Sequence, residues 1–279
     1  MSYLSDMKGK ISSWLGAAAD VLLPRVCTVC GDRLLLSEND ICLPCLADMP
    51  LTRFWTMEHN PMADRFNRLI QKSLDESVPD GSMENLRPRE RYAFAAALLI
   101  YKDGSGYKNI PQQLKYHGNI EVGRHFGRML GRKLASSELF QDVDLVMPVP
   151  LHWMRRWKRG YNQAEVLAGE VASALGARMD VTTLIRHRRT STQTKLGIEE
   201  KAANVKGAFK VSDTSAEAKL HPDMKGSLGT KLASVRHILL IDDIFTTGST
   251  LMACFTALRT VFPPSVRISV ATLGFVGEA

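Results

Sequence analysis

His237-Ile-Leu-Leu-Ile-Asp-Asp-Ile-Phe-Thr-Thr-Gly-Ser-Thr250 is the stretch on which the reading of this chain turns. Four apolar residues at 238–241 predict a buried strand within 235–241, and the paired carboxylates Asp242 and Asp243 follow it directly. Thr246, Thr247, Gly248, Ser249 and Thr250 then open a helix over 249–261, and a last strand is expected over 266–273. Strand, helix and strand joined by short turns imply an α/β fold with a parallel sheet and right-handed crossovers. Ligands of such sheets bind outside the carboxyl ends of the strands, and a helix start offers free N–H groups to a phosphate. Gly248 and small hydroxyl residues let a ligand approach the backbone. The two aspartates are placed to accept hydrogen bonds from ribose hydroxyls or to help hold hydrated magnesium. A Thr/Ser-capped helix start beside chance acids is the plainer alternative, but paired acids after a buried strand are costly without partners.

The same alternation extends upstream. Strands are expected over 92–101 and 143–149, and helices over 107–117, 120–135 and 162–175. Residues 51–89, with Pro61, Pro79, Gly81 and Pro88, read as a connector, and 212–234 as a loop insertion into a domain spanning 90–279. Residues 1–50 read as an amphipathic helix over 4–22 followed by a small cysteine module.

That module is Cys27-x-x-Cys30, an eleven-residue spacer, and Cys42-x-x-Cys45. Two such knuckles aim four sulfurs at one tetrahedral ion, and four thiolates leave no open position, so the expectation is structural zinc without zinc catalysis. Redox or merely buried thiols are the alternative. Cys254, alone in a helical pattern, reads as a packing residue.

The 279 residues carry 45% hydrophobic and 23% charged side chains, ordinary for a folded domain with an appendage. No apolar run reaches the roughly 18 residues of a membrane span, and the charged, Ser-interrupted start does not read as a signal peptide. The cytoplasm is therefore the expected compartment. A net charge of +7 suggests an anionic partner, either a phosphorylated metabolite or nucleic acid. It is concentrated in Arg155, Arg156, Lys158 and Arg159 and in Arg186, Arg188 and Arg189.

The segment 237–250 resembles the phosphoribosyl pyrophosphate-binding motif of type I phosphoribosyltransferases. Further stretches narrow the resemblance to the ComF/GntX family: Pro148-Val-Pro-Leu-His152, Arg159-Gly-Tyr-Asn-Gln-Ala164, Thr192-Gln-Thr194, Asn204-Val-Lys-Gly-Ala-Phe209 and the lysine-tyrosine element Leu114-Lys-Tyr-His-Gly-Asn119. The cysteine module is similar to the zinc ribbon that members of the family carry, and the resemblance leaves 212–234 unexplained.

The resemblance implies that Thr246, Thr247, Gly248, Ser249 and Thr250 cradle the 5′-phosphate and that Asp242 and Asp243 meet the ribose hydroxyls. Val149, Pro150, Leu151 and His152 fall where such enzymes bind pyrophosphate. Pro148 and Pro150 would hold that turn rigid, with room for an unusual peptide geometry. Arg155, Arg156 and Arg159, just beyond, would neutralise the diphosphate, although such a cluster is often only a solvated helix start. Tyr161, Asn162 and Gln163 fit helix capping equally well, and Thr192-Gln-Thr194 falls where the family has a mobile segment.

The implied reaction displaces pyrophosphate from the anomeric carbon through an oxocarbenium-like transition state, stabilised by magnesium and cationic side chains. No Gly-x-Ser-x-Gly elbow, Walker-type loop or nucleophile–base pair is visible, and the scattered histidines, His237 among them, read as surface or packing groups. The acceptor is not legible. A second reading, also implied by the family, is a non-catalytic competence or DNA-utilisation protein contacting single-stranded DNA or a protein of the competence machinery. Trp153, Trp157 and Tyr161 lie near the basic cluster at helical spacing, which fits packing as well as base stacking.

Overall fold

The computed structural model describes residues 24–77, 89–102, 104–116, 118–188, 207–212 and 235–277. The helix expected over 4–22, the Thr192-Gln-Thr194 element, His117 and all of the 212–234 insertion except Ser212 lie outside them. The described residues within Met1–Met49, with Gly104–Ile110, form one compact unit, and those within Pro50–Asp103 and Pro111–Ala279 form another.

In the smaller unit a short helix α1, Leu43–Ala47, follows Cys42 and starts with Pro44 in its first turn, where a missing N–H costs nothing. The segment Gly104–Ile110 packs onto this unit through Tyr107, whose hydroxyl donates to the Cys45 carbonyl at 2.7 Å.

The larger unit is built on five parallel strands in the order β1-β7-β6-β2-β3. These are β1 Ala95–Ile100, β2 Leu145–Pro148, β3 Arg178–Met179, β6 His237–Phe245 and β7 Arg267–Phe275, with β4 Leu184–Arg186 and β5 Phe209–Val211 forming a separate antiparallel pair. The helices are α2 Pro61–Ser77, α3 Asn109–Tyr116, α4 Ile120–Ala135, α5 Trp153–Arg159, α6 Gln163–Leu175 and α7 Ser249–Arg259. The central strands are buried on both faces and read as continuous apolar runs. One face carries Leu145, Met147, Ile238, Leu240, Ile268 and Val270 against Met62, Phe66 and Ile70 of α2 and Leu251, Phe255 and Leu258 of α7. On the other, α4 and α6 lie side by side, close enough that a Cβ on Gly131 would sit 2.8 Å from that of Ala174. The α/β, parallel-sheet expectation holds.

Two expectations need correction. Residues 61–77 are not connector but a 17-residue helix. Pro61 occupies its first turn, and the Asn60 side chain accepts from Met62 and Ala63 N–H at 3.1 and 3.0 Å while donating to the Ala95 carbonyl at 3.0 Å. Its apolar stripe of Met62, Phe66 and Ile70 was hidden among polar neighbours. The strand expected to stop at Ile241 instead continues to Phe245, because Asp242, Ile244 and Phe245 still pair with Thr272, Gly274 and Phe275 of β7. The two aspartates therefore sit inside the strand. The described peptide bonds are all trans, Pro148 and Pro150 included.

Candidate functional site

The chain order reverses between β2 and β6. From β2 the chain crosses outward to β3, whereas from β6 it crosses the other way to β7. Such a switch point leaves a crevice at the carboxyl ends of the two strands. Both stretches singled out in the sequence end there, since Pro148 pairs with Ile241 and the Val149 N–H donates to the Ile241 carbonyl at 2.8 Å.

On the β6 side a small hollow is lined by Asp242 and residues 244–251. Gly248 caps α7 with φ +82°, a left-handed conformation that suits glycine. A Cβ there would lie 2.7 Å from Phe245 Cζ and 2.9 Å from Leu69 Cδ1, so the turn also demands glycine sterically. No side chain caps the helix. Thr247 and Ser249 share a hydroxyl contact of 2.8 Å, and Thr246 is tied through its carbonyl to Arg65 Nη1 at 2.9 Å. The start of α7 thus presents backbone N–H groups beside two hydroxyls, an arrangement suited to an anion.

Adjacent residues of an extended strand turn to opposite faces of the sheet, which separates the two acids. Asp243, buried, forms an ion pair with Lys115 from the end of α3. Asp242 faces the hollow and accepts from the Asp243 N–H at 2.9 Å. Burial and then the Asp243 charge push the Asp242 carboxyl up to about 8, against the smaller pull of the Asp243 amide and Lys115. Nearby, the Tyr101 hydroxyl is buried with no hydrogen-bond partner among the described residues; burial, then the charge of Asp243, raises its pKa. Lys115 was missed as a site residue, although it stands in the lysine-tyrosine stretch, because nothing local links it to Asp243.

On the β2 side the roles are largely structural. His152 is buried and caps α5, its Nδ1 accepting from Met154 N–H at 3.3 Å. Asn162 caps α6 and donates to the Val149 carbonyl at 3.0 Å, fixing the turn at 149–152. Tyr161 donates to the Leu114 carbonyl. Arg156 pairs with Glu165 at 2.9 Å, and Arg159 donates to Gln163 at 3.0 Å and lies over the Tyr116 ring. Arg155 and Arg186, half-buried, repel one another electrostatically, and Arg186 is held low chiefly by burial. Pro150 and Leu151 are half-exposed at the turn. His237 is fully buried at the opposite end of β6, as a packing group, and Cys254 is likewise buried.

In the smaller unit the sulfurs of Cys27, Cys30, Cys42 and Cys45 all lie within 4.8 Å of one another. A tetrahedral ion with bonds of about 2.3 Å sets its sulfurs roughly 3.8 Å apart, so the cluster is able to hold a metal such as zinc. Burial pushes the Cys27 thiol up, but the N–H groups of Cys30, Cys42 and Val29 outweigh it and hold it at about 7. Burial and the neighbouring thiols push Cys45 up instead. A cation would relieve that imbalance. Among the described residues no helix is long and apolar enough to cross a membrane.

No family model matches the chain. It is 26% identical over 160 residues to Competence protein F of Haemophilus influenzae, covering 56% of the chain and 63% of that protein. It is 30% identical over 141 residues to the DNA utilization protein YhgH of Salmonella typhimurium, covering 50% and 54%. The chain thus spans between half and two thirds of the length of these two relatives. Against YhgH of Escherichia coli O157:H7 it is 29% identical over 231 residues, 82% of the chain and 88% of that protein. Among solved structures it is similar to TT1426 from Thermus thermophilus, at 18% identity and a TM-score of 0.28, over 55% of this chain and 83% of that one. Most of the chain's length is matched to one of these proteins, so the chain is similar to Competence protein F and to YhgH, in keeping with the family resemblance of its motifs.

Proposed function

We propose that the carboxyl rim of β6 and β2 binds phosphoribosyl pyrophosphate, and that the chain transfers the phosphoribosyl group to a nitrogenous acceptor. The observation that carries this reading is the hollow at the switch point, where one raised carboxylate, Asp242, faces the bare start of α7. Thr246, Thr247, Gly248, Ser249 and Thr250 receive the 5′-phosphate through backbone N–H and hydroxyl groups. Asp242 accepts from the ribose hydroxyls, while Asp243 positions Lys115 at the rim. Val149, Pro150, Leu151 and His152 bound the diphosphate, and Arg155, Arg156 and Arg159 lie on the helix that follows.

In the transfer the bond from the anomeric carbon to the diphosphate oxygen breaks, a carbon–nitrogen bond forms, and the acceptor loses a proton. The chain needs no covalent nucleophile for this, only fixed charges around an oxocarbenium-like centre. Magnesium bound with the diphosphate would neutralise part of its charge, and Asp242 would help to hold it. The test is pyrophosphate release from the ligand and magnesium on addition of purine, pyrimidine or amine acceptors. Release that one acceptor stimulates supports transfer; release with none of them, despite ligand binding, contradicts it.

We also propose that Cys27, Cys30, Cys42 and Cys45 hold a structural zinc ion. Purified protein should then contain one equivalent by elemental analysis, and Cys27→Ser should lose it. Unchanged zinc content in the variant contradicts the assignment.

A second reading takes its support from the names of the relatives, Competence protein F and DNA utilization protein. In it the chain serves competence or DNA use by contacting single-stranded DNA or a protein of that machinery, with or without transfer at the rim.

A further inference from the structure

Helix α5 exposes what a folded chain ordinarily covers. Trp153 and Trp157, one turn apart on one face of that helix, are 66% and 84% exposed. Trp55, by contrast, is 5% exposed in the core. The helical spacing of the two rings, which fits packing as well as stacking, is therefore not explained by packing. Tyr116 extends the surface: it is 74% exposed, and the Arg159 guanidinium lies 5.6 Å from its ring centre.

Two of the three residues between the rings, Arg155 and Arg156, are cationic, and Lys158 and Arg159 follow the second ring. The helix reads Trp-Met-Arg-Arg-Trp-Lys-Arg and contains no acid. Arg156 is engaged by Glu165, but Lys158 is exposed and Arg159 bridges to Tyr116. Trp153 touches the His152 ring at 5.6 Å between centroids, yet both tryptophans leave most of their surface to solvent on a polar helix, which suits a ligand that is flat and anionic together. A membrane surface fits poorly, because seven residues make only about 10 Å of helix and charges interrupt any apolar face.

We infer that Trp153, Trp157 and Tyr116, with Lys158 and Arg159, form a binding surface for single-stranded nucleic acid. The bases stack on the rings and the backbone phosphates meet the cations. Rings one turn apart are separated by roughly 6 Å along the helix, close to two stacking steps of about 3.4 Å, so neighbouring nucleotides engage both. This inference rests on the second reading above and assigns it a surface distinct from the hollow beside Asp242.

The test is titration of the full chain with a fluorescent oligothymidylate of about 16 nucleotides, read by anisotropy and by quenching of intrinsic tryptophan emission. Saturable binding at low salt is expected, weakening roughly twentyfold between about 50 and 200 mM salt if some three phosphates are met. Trp153→Ala/Trp157→Ala should weaken it at least about tenfold, and Trp153→Phe/Trp157→Phe should restore most of the loss. Asp242→Asn should bind the oligonucleotide as the wild type does, which separates this surface from the phosphoribosyl reading. The inference is overturned by wild-type affinity in the double alanine variant or by equal affinity for a duplex. It is also overturned if the oligonucleotide does not bind at low salt, whether or not phosphatidylserine vesicles or a protein do.

Discussion

The two ends of strand β6 treat polar groups in opposite ways. At the amino end His237 is fully buried, its Nδ1 2.6 Å from Asp142 Oδ1 and its Nε2 2.7 Å from Ser269 Oγ. Ser269 also accepts the Phe94 N–H at 3.1 Å and keeps its own hydrogen to donate, so the network is able to serve a neutral His237 at both ring nitrogens. Asp144 takes the backbone N–H groups of both Arg236 and His237. The set of Asp, His and Ser resembles a hydrolytic triad only by composition, since the serine is sealed in the core. At the carboxyl end Asp242 is pushed up by burial and a like charge, the Tyr101 hydroxyl finds no hydrogen-bond partner among the described residues, and Asp243 depends on one lysine. A satisfied network fastens the sheet, whereas the unsatisfied groups at the switch point are the ones the proposed ligand would engage.

Breaking the satisfied end should have the largest effect on stability. His237→Ala leaves a cavity and strips Asp142 and Ser269 of their partner, and should cost about 3 kcal/mol in urea unfolding. Ligand affinity of the folded protein should be unchanged; a loss under about 1 kcal/mol would mean the network is not structural. Gly248→Val should cost about 2 kcal/mol, since the new Cβ would meet Phe245 and Leu69 and the backbone is left-handed. It should also abolish ligand binding, because the cradle moves; retained binding would show that 246–250 does not hold the phosphate.

The smallest effect is also the most discriminating, because pH tilts the two ends oppositely. His237 is held below its ordinary range chiefly by burial, so its contribution is complete above the unfolded pKa of about 6.5 and lost as pH falls below it. Asp242, raised to about 8, binds its proton more tightly folded than unfolded, so stability falls as pH rises from about 4 toward 8. Asp242→Asn should therefore stabilise by about 1 kcal/mol at pH 8, discounted for partial exposure, and by nothing near pH 4. Equal unfolding midpoints for variant and wild type across that range would contradict the shift.

Much of this was legible from periodicity. The apolar runs at 238–241 and 143–149 marked central strands, and the paired cysteine spacing marked a cluster that the structure brings within 4.8 Å. The end of β6 was not legible, because two acids look like a terminator until β7 is known to pair beyond them. Helix α2 was obscured by Pro61 and its polar face, and β4 and β5 are too short to leave a pattern. Spacing also showed that Trp153 and Trp157 share a face, but not whether anything covers it. Lys115 and Asp243 meet across distant segments, and so only tertiary structure pairs them.

The central claim is that the unsatisfied end of β6 binds phosphoribosyl pyrophosphate. Calorimetric titration of the full chain with this ligand and magnesium, in parallel for wild type, Asp242→Asn and Asp242→Asn/Asp243→Asn, tests it most directly. Saturable binding to the wild type, weakened at least tenfold by the single change and lost in the double, is the predicted result. Equal binding by all three proteins, or by none, would contradict the account.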